Sequence, residues 1–178
     1  MSDLAFSTAQ QLAKSIRQRE VSATEVLDAH LRQIERHNAT LNAIVTLDDA
    51  RARRRAEEAD AALARGELWG PLHGVPITVK DNFETEGLRT TNGQKRLASY
   101  VPSQDATVVA RLRGAGAIVL GKTNLPERGA DIQTNGPLFG RANNPWDLDR
   151  TPGGSTGGGA AAVAAGLSPL EIGSDFGG

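Results

Sequence analysis

Nine of the 20 glycines fall in the last 28 residues, and they are grouped. Thr151-Pro-Gly-Gly-Ser-Thr-Gly-Gly-Gly-Ala160 opens an alanine-rich run, and Gly173-Ser-Asp-Phe-Gly-Gly178 follows it. Glycine lacks the Cβ that holds neighbouring backbones apart, and it reaches positive φ freely. Two such turns separated by a small-residue helix bring many backbone N–H groups toward one point, a recurring way to hold an oxyanion. The fold must therefore pack tightly around this segment.

Upstream the pattern changes near Gly70. Before it, Ser7-x-x-Gln10 and Ser22-x-x-Glu25 predict capping boxes ahead of apolar positions at helical spacing, with Leu12, Ile16, Val26, Leu27, Leu31 and Ile34 facing a core. A third helix is expected from about Asp48 to Ala64, stopped by Gly66. After Gly70, Val75 to Lys80 and Ala117 to Leu120 read as strands. Ala106 to Leu112 reads as a helix capped by Asp105, Ala160 to Ala165 as a second helix, and Leu170 to Ser174 as a short strand. Alternating strands and helices predict an α/β chain, with a parallel or mixed sheet covered by helices. Gln94 to Ser103 gives no clear pattern.

Composition excludes several functions. The 20 basic and 21 acidic residues nearly cancel, so charge gives no reason to expect nucleic acid or an anionic membrane as partner. The one dense basic run, Arg51-Ala-Arg-Arg-Arg55, precedes Glu57, Glu58 and Asp60, as a solvated helix face with opposite-sign pairs would. There is no cysteine, which rules out disulfides, thiolate metal sites and a cysteine nucleophile. The N-terminus lacks a basic start with an apolar core, so the chain is expected to be cytoplasmic.

Two chemical candidates stand out. Lys80 ends an apolar strand, where desolvation would lower its pKa and make it a usable base; it would equally be a surface lysine paired with Asp81. Ser155 sits among glycines that leave its hydroxyl accessible; Ser155 or Thr156 would equally cap the following helix, Thr156 the better placed. His30, His37 and His73 suggest no triad and are expected to be structural or solvated. Gly116-Ala-Ile-Val-Leu-Gly-Lys-Thr123 fits a phosphate-loop pattern by letter, but its four apolar residues belong to a strand and Pro126 opposes a following helix. Asp175-Phe-Gly177 lacks the other kinase elements.

Taken together, Gly153-Gly-Ser-Thr-Gly-Gly-Gly159, Gly173-Ser-Asp-Phe-Gly-Gly178 and Gly70-Pro-Leu-His-Gly-Val-Pro-Ile-Thr-Val-Lys-Asp-Asn82 resemble motifs of the amidase signature family of serine hydrolases. Asp105-Ala-Thr-Val-Val, Gly121-Lys-Thr-Asn124 and Asn143-Asn-Pro-Trp-Asp147 add to the likeness. Thr156 and Gly159 depart from it, standing where serines are common. The resemblance implies a mixed sheet with helices on both sides, residues 1–178 forming the N-terminal part of one amidase domain: a helical region over 1–69 and the start of the catalytic α/β core over 70–178.

It further implies Lys80 and Ser155 as catalytic residues, the Gly154–Ser155 peptide as cis, and the backbone of Phe176, Gly177 and Gly178 as the oxyanion hole. Gly154, Thr156, Ser174 and Asp175 are expected to support the site. The nucleophilic serine would come directly after Gly178, so the chain reads as the N-terminal portion of a longer enzyme. The implied reaction is hydrolysis of a small-molecule amide through an acyl-enzyme, with no metal or organic cofactor. No nucleic-acid or membrane partner is expected, and homodimerisation is left open. One alternative is the amidase subunit of a tRNA-dependent amidotransferase, although Leu125 to Thr134 looks more like stand-alone amidases. Another is a non-catalytic fragment or binding module.

Overall fold

The computed structural model describes residues 4–175. Helix α1 (Ala9–Arg17) is closed by a capping box, but its cap is Thr8 with Gln11, one residue later than Ser7 and Gln10 suggest. The shift is small and has a reason. A 3-10 turn over Leu4–Phe6 occupies the preceding residues and leaves Thr8 as the first extended position. Helix α2 (Ala23–Leu41) carries the Ser22–Glu25 box as expected and ends at Asn42, in the left-handed conformation. The Ser22–Glu25 box satisfies backbone donors that have no partner inside the helix, a contribution of about 1 kcal/mol.

The helical reading of residues 1–69 misses one element. Strand β1 (Ile44–Leu47) lies between α2 and α3 (Asp49–Ala64) and pairs antiparallel with β3 (Ile118–Thr123). Strand β2 (Pro76–Lys80) runs parallel to β3, with helix α4 (Thr107–Gly114) between them in sequence. After the small β4–β5 pair (Asn135–Gly136 and Gly140–Arg141) come α5 (Gly157–Ala164) and β6 (Glu171–Ile172), which adds in parallel to β2. The four-stranded sheet thus has the order β1-β3-β2-β6 and is mixed.

Apolar side chains cover both faces. On one, Leu12, Ile16, Val26, Leu27 and Ile34 pack with Ala52, Ala56 and Ala59 of α3, Ala161 and Ala162 of α5, and Ile118 and Leu120 of β3. On the other, Ile77, Val79 and Val119 meet Val109 of α4 and Leu88. Leu31 is only partly buried at the edge of the first cluster. Asp105 does not cap α4: Ala106 holds the cap position, while Asp105 accepts from Glu86 N at 2.7 Å and pairs with Arg113 at 3.3 Å.

The apolar run inside the phosphate-loop look-alike is strand β3, and Lys122 within it is buried. The arginine run lies along α3, with Arg51 on Asp48, Arg53 on Asp28 and Asp49, and Arg55 on Glu58. Among the described residues no helix is long and apolar enough to cross a membrane.

Helix α5 begins with three glycines, each about 1 kcal/mol poorer than alanine as a helix former. Their need is steric. A Cβ on Gly158 would lie 2.5 Å from both the N and the O of Asn124 and 2.8 Å from Ala43 O. Backbone against backbone brings α5 down onto the ends of β1 and β3, and this fixes where Ser155 and Thr156, just before α5, meet the sheet.

Candidate active site

Lys80 is the last residue of β2 and is fully buried. The surface pairing with Asp81 does not occur: Asp81 is itself buried and lies 3.6 Å from Lys122 Nζ. Successive residues of a strand face opposite sides of the sheet, so Lys80 and Asp81 diverge. Lys80 Nζ instead donates to Ser155 Oγ at 2.6 Å, to Ser174 O at 2.8 Å and to Thr156 Oγ1 at 3.0 Å. The Gly154–Ser155 peptide is cis.

Thr156 stands at the cap position of α5, yet its side chain makes no capping bond. Its hydroxyl accepts from Lys80 and donates to Ser174 O at 2.9 Å. The free N–H of Gly157 goes to Thr134 Oγ1 at 3.0 Å, so a residue 23 positions earlier takes over the capping role. Ser174 is held twice, through its carbonyl and through its hydroxyl, which accepts from Asn82 Nδ2 at 2.8 Å. Asp175 is exposed. Phe176, Gly177 and Gly178, assigned to the oxyanion hole, lie outside the described residues.

Burial pushes the Lys80 pKa down, because a charged ammonium is poorly solvated there; the carboxylates of Glu171 and Asp175 push it back up. Above the lysine, residues 152–157 with Ala160, Gly173, Ser174 and Asp175 line an open depression of about 540 Å³. A lysine of weakened proton affinity, two hydroxyls within reach of it and an adjoining cavity make an arrangement chemically able to pass a proton.

Three further ionisable side chains lie near this site: Lys122 and Asp81, inside motifs quoted above, and Glu171, which no quoted motif includes. Lys122 donates to Phe83 O at 2.6 Å and to Thr90 Oγ1 at 2.8 Å, and burial lowers its pKa to about 8 against the pull of Asp81. Burial likewise raises Asp81, whose carboxylate is held down by Lys122 and by the N–H and hydroxyl of Thr91. Glu171 of β6 accepts from Thr123 Oγ1 at 2.6 Å. The histidines stand apart from this site. His30 is buried with Nδ1 2.9 Å from Gly166 O, His73 joins Trp69 N to Ala59 O, and His37 is exposed.

A family model described as Amidase matches residues 25–178. Over all 178 residues the chain is 50% identical to one subunit of the glutamyl-tRNA(Gln) amidotransferase of Acidothermus cellulolyticus, and it spans 35% of that polypeptide. Among solved structures, 6-aminohexanoate cyclic dimer hydrolase superposes with a TM-score of 0.86 at 37% identity, over 96% of this chain and 34% of that one. Peptide amidase from Stenotrophomonas maltophilia gives 0.84 at 37% identity, over 91% of this chain and 34% of that one. The chain therefore spans about a third of the length of the relatives it matches.

Proposed function

The chain belongs to the amidase signature family, and from that membership we propose that it carries the lysine and the bridging serine of a serine hydrolase that cleaves a carboxylic amide to an acid and ammonia or an amine. The observation that carries this reading is the 2.6 Å contact between Lys80 Nζ and Ser155 Oγ.

In this mechanism neutral Lys80 takes the proton of Ser155 while Ser155 takes that of the nucleophilic serine, which the family pattern puts directly after Gly178. The serine oxygen bonds to the amide carbon, and the carbonyl oxygen gains the negative charge. Backbone N–H groups of Phe176, Gly177 and Gly178 receive that oxyanion. The ammonium of Lys80 then returns its proton through Ser155 to the leaving nitrogen as the C–N bond breaks. Water, deprotonated by the same relay, releases the acid from the acyl-enzyme. Thr156 and Ser174 O anchor the ammonium between these steps. The logic is that of the histidine triad with a Ser-Lys relay in its place, and it calls for no cofactor.

A second reading has its own support, since the relatives include one component of an amidotransferase named for glutamyl-tRNA. There the same relay would release ammonia from an amide for use by partner subunits. Ammonia release from simple carboxamides by the full-length protein separates the two. Turnover by the protein alone supports the stand-alone amidase, and turnover that appears only with partner subunits supports the second reading. No turnover under either condition would overturn both.

A further inference from the structure

We propose that Glu171 is a positioning residue for Lys80, a carboxylate held on the lysine's own face of the sheet that governs how firmly Lys80 keeps the proton it exchanges with Ser155. The inference rests on the proposed function and deepens it.

The placement follows from register. In the parallel β2–β6 pair Thr78 stands opposite Glu171, so both side chains leave the same face. Lys80, two residues beyond Thr78, shares that face. Thr123, opposite Lys80 in the β2–β3 pair, shares it too. Helix α5 lies over this face, and at Gly159 it leaves room for the carboxylate: a Cβ there would lie 2.5 Å from Glu171 Cγ and 2.6 Å from Oε1. Gly159 is one of the two positions where the chain departs from the serine-rich family pattern, and the vacated space is filled by Glu171.

The carboxylate is held at one oxygen and open at the other. Oε1 accepts from Thr123 Oγ1 at 2.6 Å. Oε2 is buried and has no hydrogen-bond partner among the described residues. The charged groups acting on Glu171 are Lys122 on β3 and Lys80 on β2. Those acting on Lys80 are Glu171 and, more weakly, Asp175 in the segment after β6. Lys122 answers first to Asp81 on its own side of the sheet. Among the described residues, Glu171 is therefore the carboxylate that shares the lysine's face of the sheet.

Burial pushes the Glu171 carboxyl up to about 7, with the Thr123 hydroxyl and the two lysines pulling it down. Above that pH the ionised carboxylate favours the ammonium form of Lys80. It thereby stabilises the cation that forms when Ser155 gives up its proton. Glu171 itself transfers no proton to substrate.

The test uses the full-length protein with Glu171→Gln, a near-isosteric change, and with Thr123→Val, which removes the hydroxyl from Oε1. Two quantities are followed against pH: kcat/KM for an amide, and the rate at which an amine-directed reagent labels Lys80, read by mass spectrometry. The expected result for Glu171→Gln is a shift of both the acid limb and the Lys80 labelling curve to lower pH by about 0.5 to 1 unit, with a lower plateau in turnover. Thr123→Val should move both curves the same way by less. A purely structural Glu171 would lower activity equally at all pH values. Unmoved labelling curves in both variants would overturn the inference. Because labelling needs no turnover, this result is independent of the ammonia-release assay that tests the proposed function.

Discussion

Lys80 and Ser155, 75 residues apart in sequence, meet at 2.6 Å from Nζ to Oγ, with the serine presented by the cis peptide that precedes it. A base and the hydroxyl it serves act as a unit, so losing either removes the same step. Lys80→Ala and Ser155→Ala in the full-length protein are each expected to reduce kcat by about 10²–10⁴-fold. The double variant should be little worse than the poorer single one. Single-turnover kinetics on an amide with all three variants checks this, and independent, multiplying losses would separate the two residues.

Thr156 gives its hydroxyl to the lysine environment instead of to the helix it precedes. Thr156→Val should lower kcat about 10-fold, the worth of one hydrogen bond to a charged group. Thr156→Ser should retain most of the rate. The helix itself should hardly notice either change, because Thr134 satisfies Gly157 N. Melting temperatures near the parent value, measured beside the kinetics, would show the two effects to be separate.

The second buried lysine has a different use. Lys122 and Asp81 sit fully buried at 3.6 Å, each also bonded to neutral neighbours. Removing one member leaves an uncompensated charge, so Lys122→Met should destabilise the fold by about 3–5 kcal/mol. Adding Asp81→Asn should recover part of that loss. Urea unfolding of the single and double variants reads the coupling; equal losses in both would deny it.

Glu171 also makes stability depend on pH. Its carboxyl binds a proton more tightly in the folded protein, at about 7, than at the ordinary value of 4.5. The folded state then holds more protons than the unfolded state between these values, and stability falls as pH rises through that window. Glu171→Gln should flatten the fall and leave the variant more stable than the parent at pH 8. Melting temperatures at pH 5 and pH 8 for both proteins test the sign.

Much of the fold and site is legible in the residues alone, wherever local chemistry and spacing agree. Ser22 with Glu25, the strand ending at Lys80 and the apolar run of β3 each obey one period and one boundary signal. What stays hidden has a common cause, since each feature is decided by a distant partner. Strand β1 is four residues long and exists because β3 pairs with it. Thr156 looks like a helix cap until Lys80 claims its hydroxyl and Thr134 takes its place. Asp81 looks like the partner of Lys80 until strand alternation turns it toward Lys122. Glu171 carries no motif at all; only the register of β2 with β6 and the missing side chain at Gly159 reveal its place.

Labelling by a serine-directed fluorophosphonate tests most directly whether Lys80 activates a serine through Ser155. In the full-length protein the predicted result is modification of the serine proposed to follow Gly178, with a labelling rate that falls about 10²–10⁴-fold in Lys80→Ala and no modification of Ser155. Modification at Ser155, or an unchanged rate in Lys80→Ala, would contradict the account.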